Sequence, residues 1–335
     1  MIRVGVVGAG SMGALHARVV SSGSATQLEW VSDPVVRVGK ALAERYGTRY
    51  TSHPDLDCID ALIIAAPTEH HHELGIEAIA AGIPVLLEKP LSQSMSQSEE
   101  LVRRSAEMGV PLMCGFMERF NPAIRTAIDI VERPLHLRAV RHSPYVDRIR
   151  TGVGSDLLIH DADIALHVFG RAPSGVTGQA GFFHPKSDAD SEDVVEAALM
   201  FDDGGVASLS ASRVSQRKIR ELVIAEEDRL VEVDLLRQDI TIYRHIGDST
   251  AIDDDGLGYR QQTIIDIPVI RHKGEPLSLQ LQHFVDILMG HVDADTERAT
   301  LLPPHLVVHQ ALVSASANVP MPIEIADRQS NEVTG

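Results

Sequence analysis

The sequence predicts an α/β fold: an N-terminal Rossmann-type doubly wound parallel sheet, then a C-terminal α/β domain with a large, mostly antiparallel open sheet. Three observations carry this. A short apolar strand runs straight into the glycine motif Gly8-Ala9-Gly10-Ser11-Met12-Gly13. Strand-like and helix-like segments then alternate up to about residue 120, the pattern of parallel strands joined by crossover helices. From Val194 onward, short alternating segments follow one another with brief turns, which calls for antiparallel pairing. The 335 residues divide accordingly into a first domain over 1–120, a second over 121–327, and a disordered tail over 328–335.

Taken in order, Arg3 to Val7 form the first strand, and the helix after the glycine motif ends near Ser21-Ser22-Gly23. The glycines serve a tight turn, the close approach of backbone to a diphosphate, and the packing of helix on strand. The free N–H groups at that helix start, around Ser11 and Met12, are offered to the phosphates. Leu28 to Ser32 is the second strand, and Asp33 ends it, 20 residues after Gly13. A carboxylate there accepts hydrogen bonds from the adenosine ribose and repels a 2′-phosphate, which favours NAD over NADP. Arg37, one turn into the next helix, would soften that preference. Ala61 to Ala65 is a strand ending in Ala66-Pro67-Thr68, followed by a helix from about His72 to Ala81 with Gly82 as its stop. Pro84 to Leu87 is the next strand, ending in Glu88-Lys89-Pro90, and Val110 to Phe116 follows as a further strand after an intervening helix. Gly8, Asp33, Pro67 and Lys89 thus lie at carboxyl ends of parallel strands, where such sheets gather ligands. The run His70-His71-His72 is not a metal site in this reading, because three adjacent side chains point in different directions.

The second half opens with a helix to about Glu132, a strand from Leu135 to Arg141 and a helix over Asp156 to Phe169. Strands follow over Val194 to Phe201, Val206 to Ser212, Arg220 to Ala225, Leu230 to Asp234 and Asp239 to Arg244. Leu279 to Met289 and His305 to Ala317 are closing helices. One sheet face packs on helices and the other is available to a second subunit, so a homodimer or homotetramer through this sheet is expected. Gly247 to Gly258, with the triplet Asp253-Asp254-Asp255, is expected to be a mobile loop; it lacks the spacing and terminal glutamate of a calcium site. His305 and His309 share a helical face without a zinc-protease glutamate and are expected to be packing or surface residues.

Composition bounds the function. The chain is 44% apolar and 23% charged, with a formal charge of −17, and phosphate-backbone binding needs a basic face that such a balance does not supply. There is no signal-peptide layout and no apolar run of membrane-spanning length, so a cytoplasmic enzyme is expected, without membrane or nucleic-acid partners. Cys58 and Cys114 sit beside apolar strand-like runs and are expected to be buried thiols.

Within Asp156 to Phe169, the residues Asp156, His160, Asp163 and His167 fall at relative positions 0, 4, 7 and 11. At about 100° per residue they share one stripe of a helix that is otherwise apolar apart from Asp161. Buried charge is costly unless partnered, so this stripe faces something polar: an active-site wall, or a self-satisfied core network.

The glycine motif, Ala66-Pro67-Thr68 with His71, Glu88-Lys89-Pro90 and Asp156-x-x-x-His160-x-x-Asp163 together resemble the glucose–fructose oxidoreductase/inositol dehydrogenase/MocA family over almost the whole chain. The resemblance implies catalytic roles for Lys89, Asp156 and His160. It also implies that Ala66, Pro67, His71, Glu88 and Lys89 join Gly8, Gly10, Ser11, Met12, Gly13 and Asp33 in binding the cofactor. Glu118-Arg119-Phe120-Asn121-Pro122, Asp147-Arg148-Ile149-Arg150, Asp239-Ile240-Thr241-Ile242-Tyr243 and Glu275-Pro276-Leu277 with His283-Phe284 look like the branch acting on UDP-N-acetylglucosamine at C3. The stripe helix, with Leu-Ile before the histidine, is as close to inositol dehydrogenases, and Leu158 stands where the family often has glycine.

The expected chemistry is an NAD-dependent hydride transfer from a secondary alcohol of a sugar, sugar nucleotide or cyclic polyol. His160 is the candidate general base, Asp156 would orient it, and Lys89 would polarise the forming carbonyl. Asp163 would accept hydrogen bonds from ring hydroxyls and His167 would pack. Arg119, Asn121, Tyr145 and Arg150 are candidates for the rest of the substrate, each equally open to a structural role. Two other classes stay open: a metal-assisted lyase or isomerase with the four stripe residues as ligands, and a silent NAD- or sugar-binding sensor.

Overall fold

The computed structural model describes residues 1–147, 149–248 and 260–317. Six strands open the chain: β1 (Ile2–Val7), β2 (Thr26–Ser32), β3 (Arg49–Thr51), β4 (Ala61–Ile64), β5 (Val85–Leu87) and β6 (Leu112–Cys114). They form one parallel sheet in the order β3-β2-β1-β4-β5-β6. Helices α1 (Ser11–Ser22), α2 (Val36–Tyr46), α3 (His71–Ala80) and α4 (Met95–Met108) make the crossovers. All residues of β4 and β5 are buried, as expected of central strands covered on both faces. Strand order reverses between β1 and β4, and the glycine loop leaves β1 at that switch point, where ligands of such sheets bind. The short, polar β3 has no apolar signature of its own, which is why its sequence does not announce it.

The second half contains α5 (Pro122–Ile130), β7 (His136–His142), a π-helical turn over Gly154–Leu158, α6 (Ile159–Phe169), β8 (Gly175–Gly181), β9 (Val194–Met200) and β10 (Val206–Ser212). Strands β11 (Ile219–Ala225), β12 (Leu230–Asp234), β13 (Asp239–Asp248) and β14 (Arg260–Asp266) complete an eight-stranded sheet, ordered β14-β13-β12-β11-β7-β10-β9-β8. All its pairings are antiparallel except β7 with β10. Alternate residues such as Leu137, Leu209, Leu222 and Val231 point into one apolar core with Ile159, Ala162 and Ala165 of α6. The glycine-rich β8 offers little side-chain pattern and was not expected; β14 was not expected either. The expected loop over Gly247 to Gly258 begins instead within β13, which runs to Asp248; residues 249–259 lie outside the described residues, as do Arg148 and the tail from 318.

The stripe helix departs from its expected form. Regular α-helix begins at Ile159, and Asp156 sits in the preceding π turn. Two glycines accommodate the Glu192 carboxylate at this turn: a Cβ on Gly152 would lie 2.1 Å from Glu192 Oε2, and Gly154 N–H donates to Glu192 Oε1 (2.7 Å). The widened turn carries Asp156 off the α-helical phase of the residues that follow.

After the second sheet the chain returns to the first half. Leu277, Leu281, Phe284 and Ile287 of α7 (Pro276–Leu288) join the apolar cluster of Val4, Val6 and Val20. Helix α8 (Ala294–Ala299) packs near β6, and α9 (Leu302–Ala317) lies along β8, α6 and α4. Helix α7 thus packs its apolar face on the first half of the chain.

Helix α6 is fixed to the second sheet by Arg141 of β7. Its guanidinium grips Asp161 through three contacts of 2.8–3.0 Å and donates to Glu118 Oε1 (2.9 Å), all in the interior. Removing the cation strands two carboxylates. Arg141→Met is expected to lower stability by about 3–5 kcal/mol. The check is the urea midpoint by circular dichroism; a midpoint equal to that of the unaltered protein would refute this role.

Candidate active site

The cofactor cradle follows from backbone geometry. Gly8 has φ +93°, and a Cβ there would lie 2.5 Å from Ala65 O. A Cβ on Gly13 would lie 1.8 Å from Gly8 O, so α1 can close on the loop only through glycine. At Gly10 the requirement differs: a Cβ would meet nothing within 4 Å, so the protein itself leaves the space open. No side chain caps α1 at Gly10, and the first N–H groups of the helix, from Ser11 on, have no intrahelical acceptor. An open concavity at an uncapped helix start fits a diphosphate. Asp33, at the end of β2, accepts Ala9 N–H (2.7 Å) and Val35 N–H (2.8 Å), so its carboxylate braces the loop as well as standing at the ribose position. Ala66 and Pro67 leave β4 beside the cradle, and Pro67 is exposed.

Lys89 lies just beyond β5. Its ammonium donates to Asp156 Oδ1 and to Asp156 O, both at 2.7 Å, joining the first sheet to the π turn. Three buried histidines from three helices hold the segment around it. His16 of α1 meets Glu88 Oε1 through Nε2 (2.7 Å). His71 of α3 lies between Pro90 O (2.8 Å from Nδ1) and Ala66 O (2.9 Å from Nε2). His305 of α9 accepts Leu91 N–H at Nε2 (2.9 Å) and donates from Nδ1 to Leu301 O (2.7 Å). This set of bonds requires neutral His305, and burial holds its pKa down to about 4. His71 is 1% exposed, so it shapes the cofactor loops from beneath. The expected packing role of His305 thus includes a specific bond to the lysine loop.

His160 makes no hydrogen bond among the described residues. Its Nδ1 is buried without a partner, while the residue as a whole is half-buried. Burial, then the cations Lys89, Arg141 and Arg220, keep its pKa well below the ordinary imidazole value. The ring is neutral and has a free lone pair at Nε2 or Nδ1, the state a general base requires. Asp156 was expected to orient His160; the structure gives that carboxylate to Lys89.

Asp163 and Arg119 meet each other. The arginine grips both carboxylate oxygens (2.6–2.9 Å), and also donates to Glu297 Oε1 (3.2 Å) and Thr300 Oγ1 (2.8 Å). With Asp163 1% exposed, its oxygens serve this network rather than a ring hydroxyl. His167 Nδ1 donates to Asp163 O (2.8 Å), in keeping with packing. Asn121 caps α5 by accepting Ala123 N–H, and donates to Leu235 O. Tyr145 donates to Lys186 O and stacks on His184, while exposed Arg150 pairs with Asp188. The geometry therefore brings Lys89, Asp156 and His160 together and assigns protein partners to Asp163, Arg119, Asn121, Tyr145 and Arg150. The stripe carboxylates do not converge: Asp156 turns to Lys89 and Asp163 to Arg119. Cys114 is buried, which raises its thiol pKa well above the ordinary value, and Cys58 is half-buried. Arg141 and Arg220 are the residues near His160 that sequence reading missed. Their signal was parity: each shares the inward phase of its strand with buried apolar neighbours.

The glycines separate folding from binding. Gly10→Ala is expected to keep its melting temperature and to weaken NAD at least about tenfold, since the added methyl occupies only the open space. Gly13→Ala is expected to lose stability as well. Thermal melts with calorimetric NAD titration decide this, and tight NAD binding by Gly10→Ala would exclude the cradle.

Comparison with known proteins gives the family. Residues 2–116 match the oxidoreductase family with an NAD-binding Rossmann fold, and residues 133–231 match the GFO/IDH/MocA C-terminal domain. The scyllo-inositol 2-dehydrogenase (NAD(+)) of Bacillus subtilis is 30% identical over 305 residues, covering 85% of each chain. The UDP-N-acetylglucosamine 3-dehydrogenase of Acidithiobacillus ferrooxidans is 29% identical over 299 residues, 87% of this chain and 90% of its own. A solved structure of that enzyme superposes with a TM-score of 0.80 at 26% identity, over 94% of this chain and 98% of the other. The chain belongs to the GFO/IDH/MocA family of NAD-binding oxidoreductases.

Proposed function

We propose that the protein oxidises a secondary alcohol on a ring: C3 of a UDP-N-acetylglucosamine-like nucleotide sugar, with an inositol as the alternative. The observation that carries this is the Lys89–Asp156 bond, which sets an ammonium beside a neutral histidine at the carboxyl ends of the parallel strands. The relatives acting on a nucleotide sugar and on an inositol support the two substrate classes equally.

In this reading His160 takes the hydroxyl proton as the carbonyl forms. Lys89 donates to the developing alkoxide oxygen, and Asp156 holds the ammonium in place for it. NAD, when bound, supplies the hydride acceptor. Glu88, locked to His16, keeps the lysine loop in register and has no contact role with substrate. The outer face of the eight-stranded sheet is the surface for a homodimer or homotetramer, and the cytoplasm is the compartment. No helix among the described residues is long and apolar enough to cross a membrane.

NADH formation with UDP-N-acetylglucosamine and scyllo-inositol in parallel is the direct test. Lys89→Met and His160→Asn are each expected to lose about 100-fold or more in kcat while still binding NADH. Turnover at the unaltered rate by either variant would remove that residue from the mechanism.

The pH profile gives a second check. His160 must be neutral to accept the proton, and its pKa is displaced downward, so the basic form persists below the ordinary value of about 6.5. The acid limb of kcat/KM is therefore expected below about pH 6.5. An acid limb above that value which His160→Asn abolishes would contradict the neutral assignment.

A further inference from the structure

Three cations act on the His160 ring: Lys89, Arg141 and Arg220. Two of them are satisfied by carboxylates in direct contact, Lys89 by Asp156 and Arg141 by Asp161 and Glu118. Arg220 differs. It stands opposite Arg141 in the β7–β11 register and on the inward phase of β11, which it shares with buried Leu222 and Ile224. Its Nη1 donates to His142 O and Ile219 O, both at 2.7 Å, and its Nη2 donates to Ser143 Oγ at 3.2 Å. All three acceptors are neutral, and Arg220 forms no ion pair among the described residues. Among the described residues its Nε–H has no hydrogen-bond acceptor, and the side chain is half-buried.

A half-buried guanidinium with neutral partners is an incomplete arrangement. Its rigid fork matches the paired oxygens of a carboxylate or phosphate, and bonds of that kind are about twice as strong as those to neutral oxygen. Asp161, Glu118 and Asp156 favour the Arg220 charge from a distance, while burial, then the Arg141 cation, push its pKa down to about 10. An anion in contact would reverse that penalty.

We propose that Arg220 receives an oxyanion, a carboxylate or phosphate, carried by the ring substrate whose alcohol faces His160. This rests on the dehydrogenase reading above and makes Arg220 a specificity residue that separates anionic ring substrates from neutral cyclitols. Two substituents supply the chemistry: a carboxylate on the ring itself, or a phosphate or diphosphate attached to it.

The test is calorimetric binding of glucuronate, glucose 6-phosphate, UDP-N-acetylglucosamine and scyllo-inositol to the NADH-loaded protein, paired with turnover using NAD. At least one anionic probe is expected to bind more tightly than scyllo-inositol and to lose about 10–100-fold in Arg220→Met. Arg220→Lys, which keeps the charge without the fork, is expected to lose less, and scyllo-inositol binding is expected to be unchanged in both. Glucuronate as the affected probe identifies a carboxylate; either phosphorylated probe identifies a phosphate. Equal affinity of the anionic probes for the unaltered and variant proteins overturns the inference, as does an equal loss for scyllo-inositol. Turnover of scyllo-inositol without binding of any anionic probe overturns it and leaves the dehydrogenase standing. Oxidation of none of the four overturns the dehydrogenase reading and this inference with it. NADH affinity and melting temperature monitor folding, and the lysine variant carries the comparison if Arg220→Met does not fold.

Discussion

The bond between Lys89 and Asp156 is the constraint on which the site depends. It joins a loop at the end of the parallel sheet to a π turn at the head of α6, and so fixes how the two halves meet. It also divides labour among the charged residues. Because Asp156 serves the lysine, His160 has no carboxylate in contact among the described residues, and burial, then the nearby cations, keep its pKa well below the ordinary imidazole value. In the proposed reaction, proton acceptance and oxyanion stabilisation thereby fall to different side chains.

The lysine is held in turn. The segment from Glu88 to Leu91 is fixed by His16, His71 and His305, which come from α1, α3 and α9. Each buried imidazole satisfies a backbone or carboxylate group that would otherwise be costly to leave unpaired. A loop restrained at three of its four residues cannot drift, so the ammonium at Lys89 stays in place before any substrate arrives. Preorganisation of this kind lowers the reorganisation that the reaction would otherwise require.

Much of this was legible in the residues. The glycine loop, the strand–helix alternation and the closely spaced later strands follow from periodicities that the backbone enforces, and the two sheets have the expected directions. Lys89 and Asp156 meet, and His160 follows Asp156 by four residues. Periodicity identifies a face, however, and does not name what meets it. Asp163 had the right phase for a cleft, but Arg119 arrives from a distant turn and takes both its oxygens. Asp156 had the right phase for His160, but the glycine-permitted π turn shifts it. His305 looked incidental because its partner, the Leu91 amide, lies more than two hundred residues away. Arg141 and Arg220 were visible as charges on inward positions of alternating strands, a violation of pattern of the kind that marks functional sites.

The path of the last helices carries a consequence for the molecule as a whole. After building the second sheet, the chain sends α7 back to cover α1 and the apolar cluster beneath it, and then sends α9 across to β8. The nucleotide-binding half thus owes part of its core to residues more than 270 positions downstream of its first strand. Cutting the chain after the sixth strand would bare that core, and a fragment lacking the first strands would leave α7 without its seat. The first half's apolar cluster is completed by a helix that the chain builds only after the second sheet.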